Sequence, residues 1–299
     1  MQKFTIRDIE HMCGIKAHTF RIWEQRYNFF TPKRKKSKHR YYDNEDLKKL
    51  LRISFLYHTG IKVSHIANLS DEEINNKVEN AYITSKNYEG GVIKLLDAAV
   101  QFDEIFFNGV LDDLINTLGM ENAVVHVCFP FLNRVGLLWM TNNIISAQEH
   151  FSSYLIQHKI IAETDKLPKA ADQSIRIALF TPDVEHHELP LLFINYLLKK
   201  AGWKTIYLGS CFNWQQWGDV IDKEKAAYIF IYLITNFTKF DIDDYLQRIC
   251  KAFPNQKIIA AGKSIIPAQR NPVNLRLLKT DEEIKSFIAK KPETKATIT

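Results

Sequence analysis

The chain has 299 residues, a length suited to two or three domains rather than one. Hydrophobic residues make up 46% of it and charged residues 25%, a balance that excludes general disorder, and no run approaches the roughly 18 apolar residues of a membrane span. Its four cysteines, Cys13, Cys128, Cys211 and Cys250, form no CxxC pair, which argues against a disulfide framework or a thiolate metal site. The opening MQKFTIRDIEHMCG carries charges where a signal peptide needs an apolar run, so a cytoplasmic location and no membrane contact are expected.

The formal net charge of +6 is unevenly spread. Residues 1–70 hold 15 Lys and Arg against 6 Asp and Glu, and the remainder holds 25 against 28. A basic module joined to a near-neutral one is the charge footprint of a nucleic-acid reader with a separate sensing or assembly part.

In chain order, Thr5 is placed to cap a short helix, Cys13-Gly14-Ile15 forms a turn, and a second helix runs from about Lys16 to Tyr27. Phe20, Trp23 and Tyr27 form one apolar stripe of that helix. This is a helix-turn-helix, whose second helix enters the major groove. Its other faces offer Lys16, His18, Thr19, Arg21, Gln25 and Arg26 to bases or phosphates. Pro32 then stops the helix, and Lys33, Arg34, Lys35, Lys36, Lys38, Arg40 and Tyr41 follow. Such a charge run is either a solvated loop or, directly after a recognition helix, a β-hairpin wing on the phosphate backbone. A further helix spans Leu47 to His58.

Residues 3–66 resemble the MerR family of bacterial regulators. Arg21-Ile22-Trp23-Glu24, Pro32 with its basic followers, Arg40-Tyr41-Tyr42 and Asp46-Leu47 match that pattern in order. The resemblance implies a homodimer on a roughly palindromic double-stranded operator.

After Ser70, the stretch DEEINNKVENAYITSKNYEGG reads as a linker of one or two helices closing on Gly90-Gly91. Helical periodicity continues to about Leu167 as four helices, with breaks at Gly109, Leu118-Gly119 and Asn142-Asn143. Trp139, nine intervening residues, then Glu149-His150 resembles a motif in the helical domain of cobalamin-dependent, light-responsive repressors related to the MerR family. There the Trp covers the upper face of the cobalamin and the Glu-His pair lies beside it. A purely structural reading stands next to it: Ser146-x-x-Glu149 is a capping box, Trp139 is core, and His150 is a first-turn polar residue.

From Ile175 the periodicity changes. Strands over 175–180, 205–208, 227–233 and 257–261 alternate with helices over 189–201 and 245–253, predicting a doubly wound parallel α/β domain, Rossmann-like or flavodoxin-like. Ligands of such sheets bind beyond the C-terminal strand ends. The loops there span 181–190, 234–240 and 262–267. In the first, Glu185-x-His187-x-x-Pro190 is similar to the acidic-x-His-x-x-Gly signature of cobalamin-binding domains, and LPLLFINYLLKKAGWKTIYLGS continues the likeness. The resemblance implies His187 as the lower axial ligand of cobalt, with Glu185 orienting its other ring nitrogen. It also implies Tyr232 and Gly262 beside the nucleotide tail, where the family carries a small residue and a glycine. Pro190 and Tyr232 depart from the pattern. A zinc site from His186, His187 and Glu188 is the weaker alternative. Beyond Lys279 the chain reads as a polar, frayed tail.

The expected fold class is therefore multi-domain: a winged helix-turn-helix (1–72), a linker (73–90), a four-helix bundle (91–168) and a doubly wound α/β domain (173–290). The expected function is a transcriptional regulator, not an enzyme, whose C-terminal module senses cobalamin, such as adenosylcobalamin, and alters homo-oligomerisation and DNA affinity. A degenerate module used for oligomerisation or another ligand is the alternative. A corrinoid-dependent enzyme lacks room for its catalytic domain.

Overall fold

The computed structural model describes residues 4–27, 33–34, 40–81, 88–140, 146–171, 174–182, 187–211, 218–233, 241–262 and 272–290. It divides into two compact units, Met1–Ile156 and Gln157–Thr299. None of its described helices is long and apolar enough to cross a membrane.

The first unit begins with α1 (Ile6–Cys13) and α2 (Ala17–Tyr27), then β1 (Lys33–Arg34), β2 (Arg40–Tyr41), α3 (Asn44–His58), α4 (Val63–Ile66) and α5 (Asp71–Ala81). Thr5 caps α1 as its sequence foretold: its hydroxyl accepts from the Asp8 N–H, and the Asp8 carboxylate accepts from the Thr5 N–H at 2.6 Å. Gly14 ends the helix at φ 66°, the left-handed conformation that glycine adopts without strain. The two wing strands pair antiparallel, and Phe4 exchanges both backbone hydrogen bonds with Tyr42 at the wing's base. Phe4, Ile9, Met12, Phe20, Trp23, Tyr42, Leu47 and Leu51 are buried in this head.

Four helical rods follow. They are α6 (Tyr88–Gln101), α7 (Glu104–Leu118), a continuous rod of α8 (Met120–Ala123), a π turn (Val124–Cys128) and α9 (Phe129–Met140), and finally α10 (Ser146–Asp165). Pro130 has no N–H to continue the regular ladder, which accounts for a wider turn just before it. Two sequence expectations are corrected here. Gly109 lies inside α7, and Gly90-Gly91 do not close a linker but sit buried within α6. Their reason is close packing: a Cβ on Gly90 would stand 2.3 Å from Cε2 of Phe55 in α3, and one on Gly91 2.9 Å from Cγ1 of Val127.

The head is also tied to the rods by polar contacts. Arg134 of α9 forms a bidentate pair with Glu89 at 2.8 and 2.9 Å and donates to the Met12 carbonyl at 3.1 Å. That carbonyl belongs to the last turn of α1, one of the groups a helix leaves without an internal partner. The next, of Cys13, accepts from His58 Nε2 at 3.0 Å; a carbonyl only accepts, so that nitrogen carries the proton. Arg52 and Asp97 make a further pair between α3 and α6 at 3.7 Å.

The second unit contains a five-stranded, all-parallel sheet. Its members are β3 (Arg176–Pro182), β4 (Lys204–Cys211), β5 (Tyr228–Tyr232), β6 (Lys257–Ala261) and β7 (Leu275–Leu278), in the order β4-β3-β5-β6-β7. This is the 2-1-3-4-5 order of flavodoxin-like sheets, whose switch point lies between β3 and β5. Helices α11 (Leu189–Lys200) and α14 (Asp281–Ala289) cover the face bearing Ile177, Leu179, Phe230 and Ile259; α12 (Gly218–Lys223) and α13 (Ile242–Ala252) cover the face bearing Ala178, Phe180, Ile229 and Ile231. The polar tail of the sequence reading is corrected as well: Ile284, Phe287 and Ile288 of α14 are buried, and Trp203 Nε1 donates to the Ile288 carbonyl at 3.1 Å.

Two outcomes are expected from this packing. Gly90→Ala, overpacking a close helix contact, should cost about 1–3 kcal/mol in a denaturant melt. Arg134→Ala should cost about 2 kcal/mol and speed amide exchange at Gly14 and Ile15, since it removes charge-assisted hydrogen bonds at the end of α1.

Candidate DNA interface and cofactor site

The helix α2 packs through Phe20 and Trp23, whose ring meets Tyr57 edge-on at 5.0 Å between centroids. That burial turns Lys16, His18, Arg21, Gln25 and Arg26 outward, all exposed; Thr19 is half-buried and within 3.4 Å of His18 Nε2. The Glu10 carboxylate accepts from the Ala17 N–H at 3.2 Å, so α1 supplies the N-terminal cap of α2. One exposed face of a rigidly capped helix thus carries two guanidiniums, an amide and an imidazole, the groups that read base edges and phosphates.

The wing cations divide into two sets. Lys33 pairs with Asp43, the N-cap of α3, and Arg40 pairs with Glu24 of α2 at 3.2 Å. These pairs hold the wing to the helices on either side. Lys33, although solvent-facing on its stem, has its ammonium raised in pKa first by the Asp43 hydrogen bond. Tyr41 is half-buried beside Arg40, and Tyr42 beneath is fully buried, its phenol pushed up to about 12 by burial. The side chain of Arg34, and Lys35, Lys36 and Lys38 entirely, lie outside the described residues.

In the helical rods, Trp139 occupies the last turn of α9; its side chain lies outside the described residues, as does that of Ser146. Glu149 stands in the first turn of α10 and His150 directly after it, with Glu149 Oε2 3.4 Å from His150 Nδ1. His150 is 64% exposed, so it is not a core histidine. Cys13 and Cys128 are buried, and burial pushes both thiols up to about 12, which removes them as thiolate ligands.

In the α/β unit, His187 is exposed between β3 and α11, immediately before Glu188, the N-cap position of α11. Pro190 fits the first turn of that helix as a structural residue. Glu185 lies outside the described residues. Tyr232 ends β5, half-buried and packed against the core of the α11 face. Gly262 follows β6 at φ 126°, and a Cβ there would fall 1.8 Å from the Leu233 carbonyl oxygen, so glycine alone fits where the ends of β5 and β6 meet.

Two further groups at these strand ends were not singled out from sequence. The Thr181 hydroxyl, at the end of β3 beside the switch point, is fully buried with no hydrogen-bond partner among the described residues. Tyr207 of β4 donates its phenol to Glu188 Oε1 at 2.7 Å, and burial first, then that bond, drives its pKa upward. The exposed His187 imidazole, the buried Thr181 hydroxyl and the Gly262 turn all follow from the C-terminal ends of the parallel strands, where ligands of such sheets bind. Among the described residues no three His, Cys, Asp or Glu gather as a protein-only metal site would require.

Residues 4–73 match the family described as MerR HTH family regulatory protein, and residues 94–162 match the B12 binding domain. The HTH-type transcriptional repressor CarH of Myxococcus xanthus is 24% identical over 257 residues, covering 84% of this chain and 85% of the relative. Repressor CarA of the same organism is 29% identical over 208 residues, covering 69% and 67%. In fold, the chain resembles the monomethylamine corrinoid protein of Methanosarcina barkeri, with a TM-score of 0.52 at 14% identity over 66% of this chain and 95% of that one. The chain is a multi-domain DNA-binding regulator, rather than an enzyme, in which a MerR-type helix-turn-helix precedes a B12-binding-type helical module and a parallel α/β unit.

Proposed function

We propose that this regulator binds its operator as a homodimer or higher homo-oligomer, and that cobalamin held by the C-terminal module changes its assembly and so its affinity for DNA. The observation that carries the reading is the position of His187: an exposed imidazole at the C-terminal end of the first sheet strand, directly downstream of a B12-binding-type helical segment. In the α/β unit, His187 would hold the cobalt with Glu185 orienting the imidazole, and the Gly262 turn, Tyr232 and Thr181 would border the nucleotide tail. In the helical module, Trp139, Glu149 and His150 would contribute contacts to the same cofactor. When bound, cobalamin supplies a cobalt whose upper ligand can be exchanged, which is the property a sensor needs.

The DNA side of the reading rests on Arg21, Gln25, Arg26, Lys16, His18 and Thr19 of α2 and its N-terminus, with the wing residues Arg34, Lys35, Lys36, Lys38 and Tyr41. Lys33 and Arg40 serve it indirectly, by fixing the wing through Asp43 and Glu24. The second reading, a module that binds no cobalamin and serves oligomerisation, is favoured by one observation: Tyr232 is packed against the core at the end of β5, where the tail would need room.

Titration with adenosylcobalamin and methylcobalamin in the dark, followed by gel filtration, separates the two. A base-off spectrum co-eluting with protein, weakened strongly in His187→Ala, is expected; a colourless protein decides for the second reading. Independently, Arg21→Ala and Arg26→Ala should weaken operator binding, and each lost phosphate contact should flatten the slope of log K against log salt by about 0.9. Unaltered binding in both variants would remove α2 from the interface.

A further inference from the structure

We infer that Tyr207 and Glu188 are positioning residues for the cobalt ligand, setting where the His187 imidazole stands; this rests on the cobalamin reading above. His187 belongs to neither β3 nor α11, so no regular backbone ladder fixes it. The next residue does have a fixed place. The Glu188 carbonyl accepts from the Leu192 N–H at 3.0 Å, opening α11, yet its side chain makes no cap to its own helix. It crosses instead to the neighbouring strand, where the Tyr207 phenol donates to Oε1 at 2.7 Å.

The strand is shaped to receive it. Pairing between β3 and β4 slips by one residue, from Leu179 opposite Tyr207 to Phe180 opposite Gly209, a bulge of the kind that re-aims a side chain. Gly209 sits buried at φ 70°, and a Cβ there would stand 2.7 Å from Glu188 Oε1. A bulge, a glycine and a phenol therefore all accommodate a single carboxylate. A half-buried carboxylate is costly to desolvate, and the phenol offsets that cost only while the geometry is kept. The consequence is a tether: one peptide bond from the imidazole, the chain is anchored to β4. Metal-bound histidines depend on such supporting contacts for orientation, and loop-borne ligands need them most.

The test uses the full-length protein, grown with nitrogen-15-labelled histidine and loaded with cob(II)alamin, read by electron paramagnetic resonance. Histidine coordination gives a doublet splitting that the cofactor's own nitrogen-14 base cannot give. In Tyr207→Phe and Glu188→Ala the histidine-bound fraction, relative to retained but uncoordinated corrinoid, should fall by about tenfold to a hundredfold. Glu188→Gln keeps an acceptor for the phenol and should restore most of it. A full doublet in Tyr207→Phe would overturn the positioning role, as would Glu188→Gln behaving no better than Glu188→Ala. No doublet in the unsubstituted protein would overturn the cobalamin reading itself, and this inference with it.

Discussion

One guanidinium holds the first unit together as a device rather than as two beads. Arg134 closes a fork on Glu89 and spends a third hydrogen bond on the last turn of α1, the helix that sets the recognition helix in place. Next to it the packing is close: Gly90 lets the Phe55 ring lie against the backbone of α6. A half-exposed ion pair alone would be worth little. Here the pair is partly buried, bidentate and backed by a carbonyl with no partner inside its own helix. The rod of 120–140 carries both Arg134 and Trp139, five residues apart. Displacing that rod therefore displaces the atom that satisfies the helix-turn-helix turn.

The same economy marks the wing. The sequence reads its cations as a solvated loop or a phosphate-gripping wing, and Lys33 and Arg40 have a further part, pairing with Asp43 of the α3 N-cap and Glu24 of α2. Two ion pairs add to the buried Phe4 and Tyr42 at the wing's base in holding two-residue strands, since a short isolated hairpin is marginal in water. Their geometry is thereby part of the reading surface, even though their charges are partly neutralised.

Much of this was legible in the sequence, and the misses have physical causes. The Thr5 cap, the Gly14 turn and the Phe20–Trp23 stripe are local signals, and local signals survive folding. The strands β3, β5 and β6 are apolar runs buried on both faces, which read plainly. Gly90-Gly91 misled because glycine marks both chain breaks and close helix packing, and only Phe55 and Val127, far along the chain, distinguish them. The tail misled through composition. Thr280 with Glu283 is a capping box that announced α14, and its apolar face of Ile284, Phe287 and Ile288 was short enough to pass for chance. On the loop after β3 the motif singled out His187, which is exposed there. The Tyr207–Glu188 bond spans 19 residues and leaves no periodic trace.

Coordination arithmetic bears on the cobalamin reading of the α/β unit. A bare zinc ion asks three or four protein donors, and a bare transition metal generally asks as many. The described residues gather no such set, and the Cys250 thiol of α13, the kind of group that softer ions favour, is pushed up to about 11 by burial. One well-placed imidazole cannot hold a naked ion tightly, but it can complete the sphere of a metal whose macrocycle already supplies the equatorial donors. Such a ligand is also large, which suits an approach across several strand ends rather than into one closed pocket. The protein's contribution then reduces to aiming one ring correctly. On the cobalamin reading, the anchoring of the chain beside His187, by a phenol, a carboxylate and a glycine in a bulged strand, would carry as much of the site as the histidine itself.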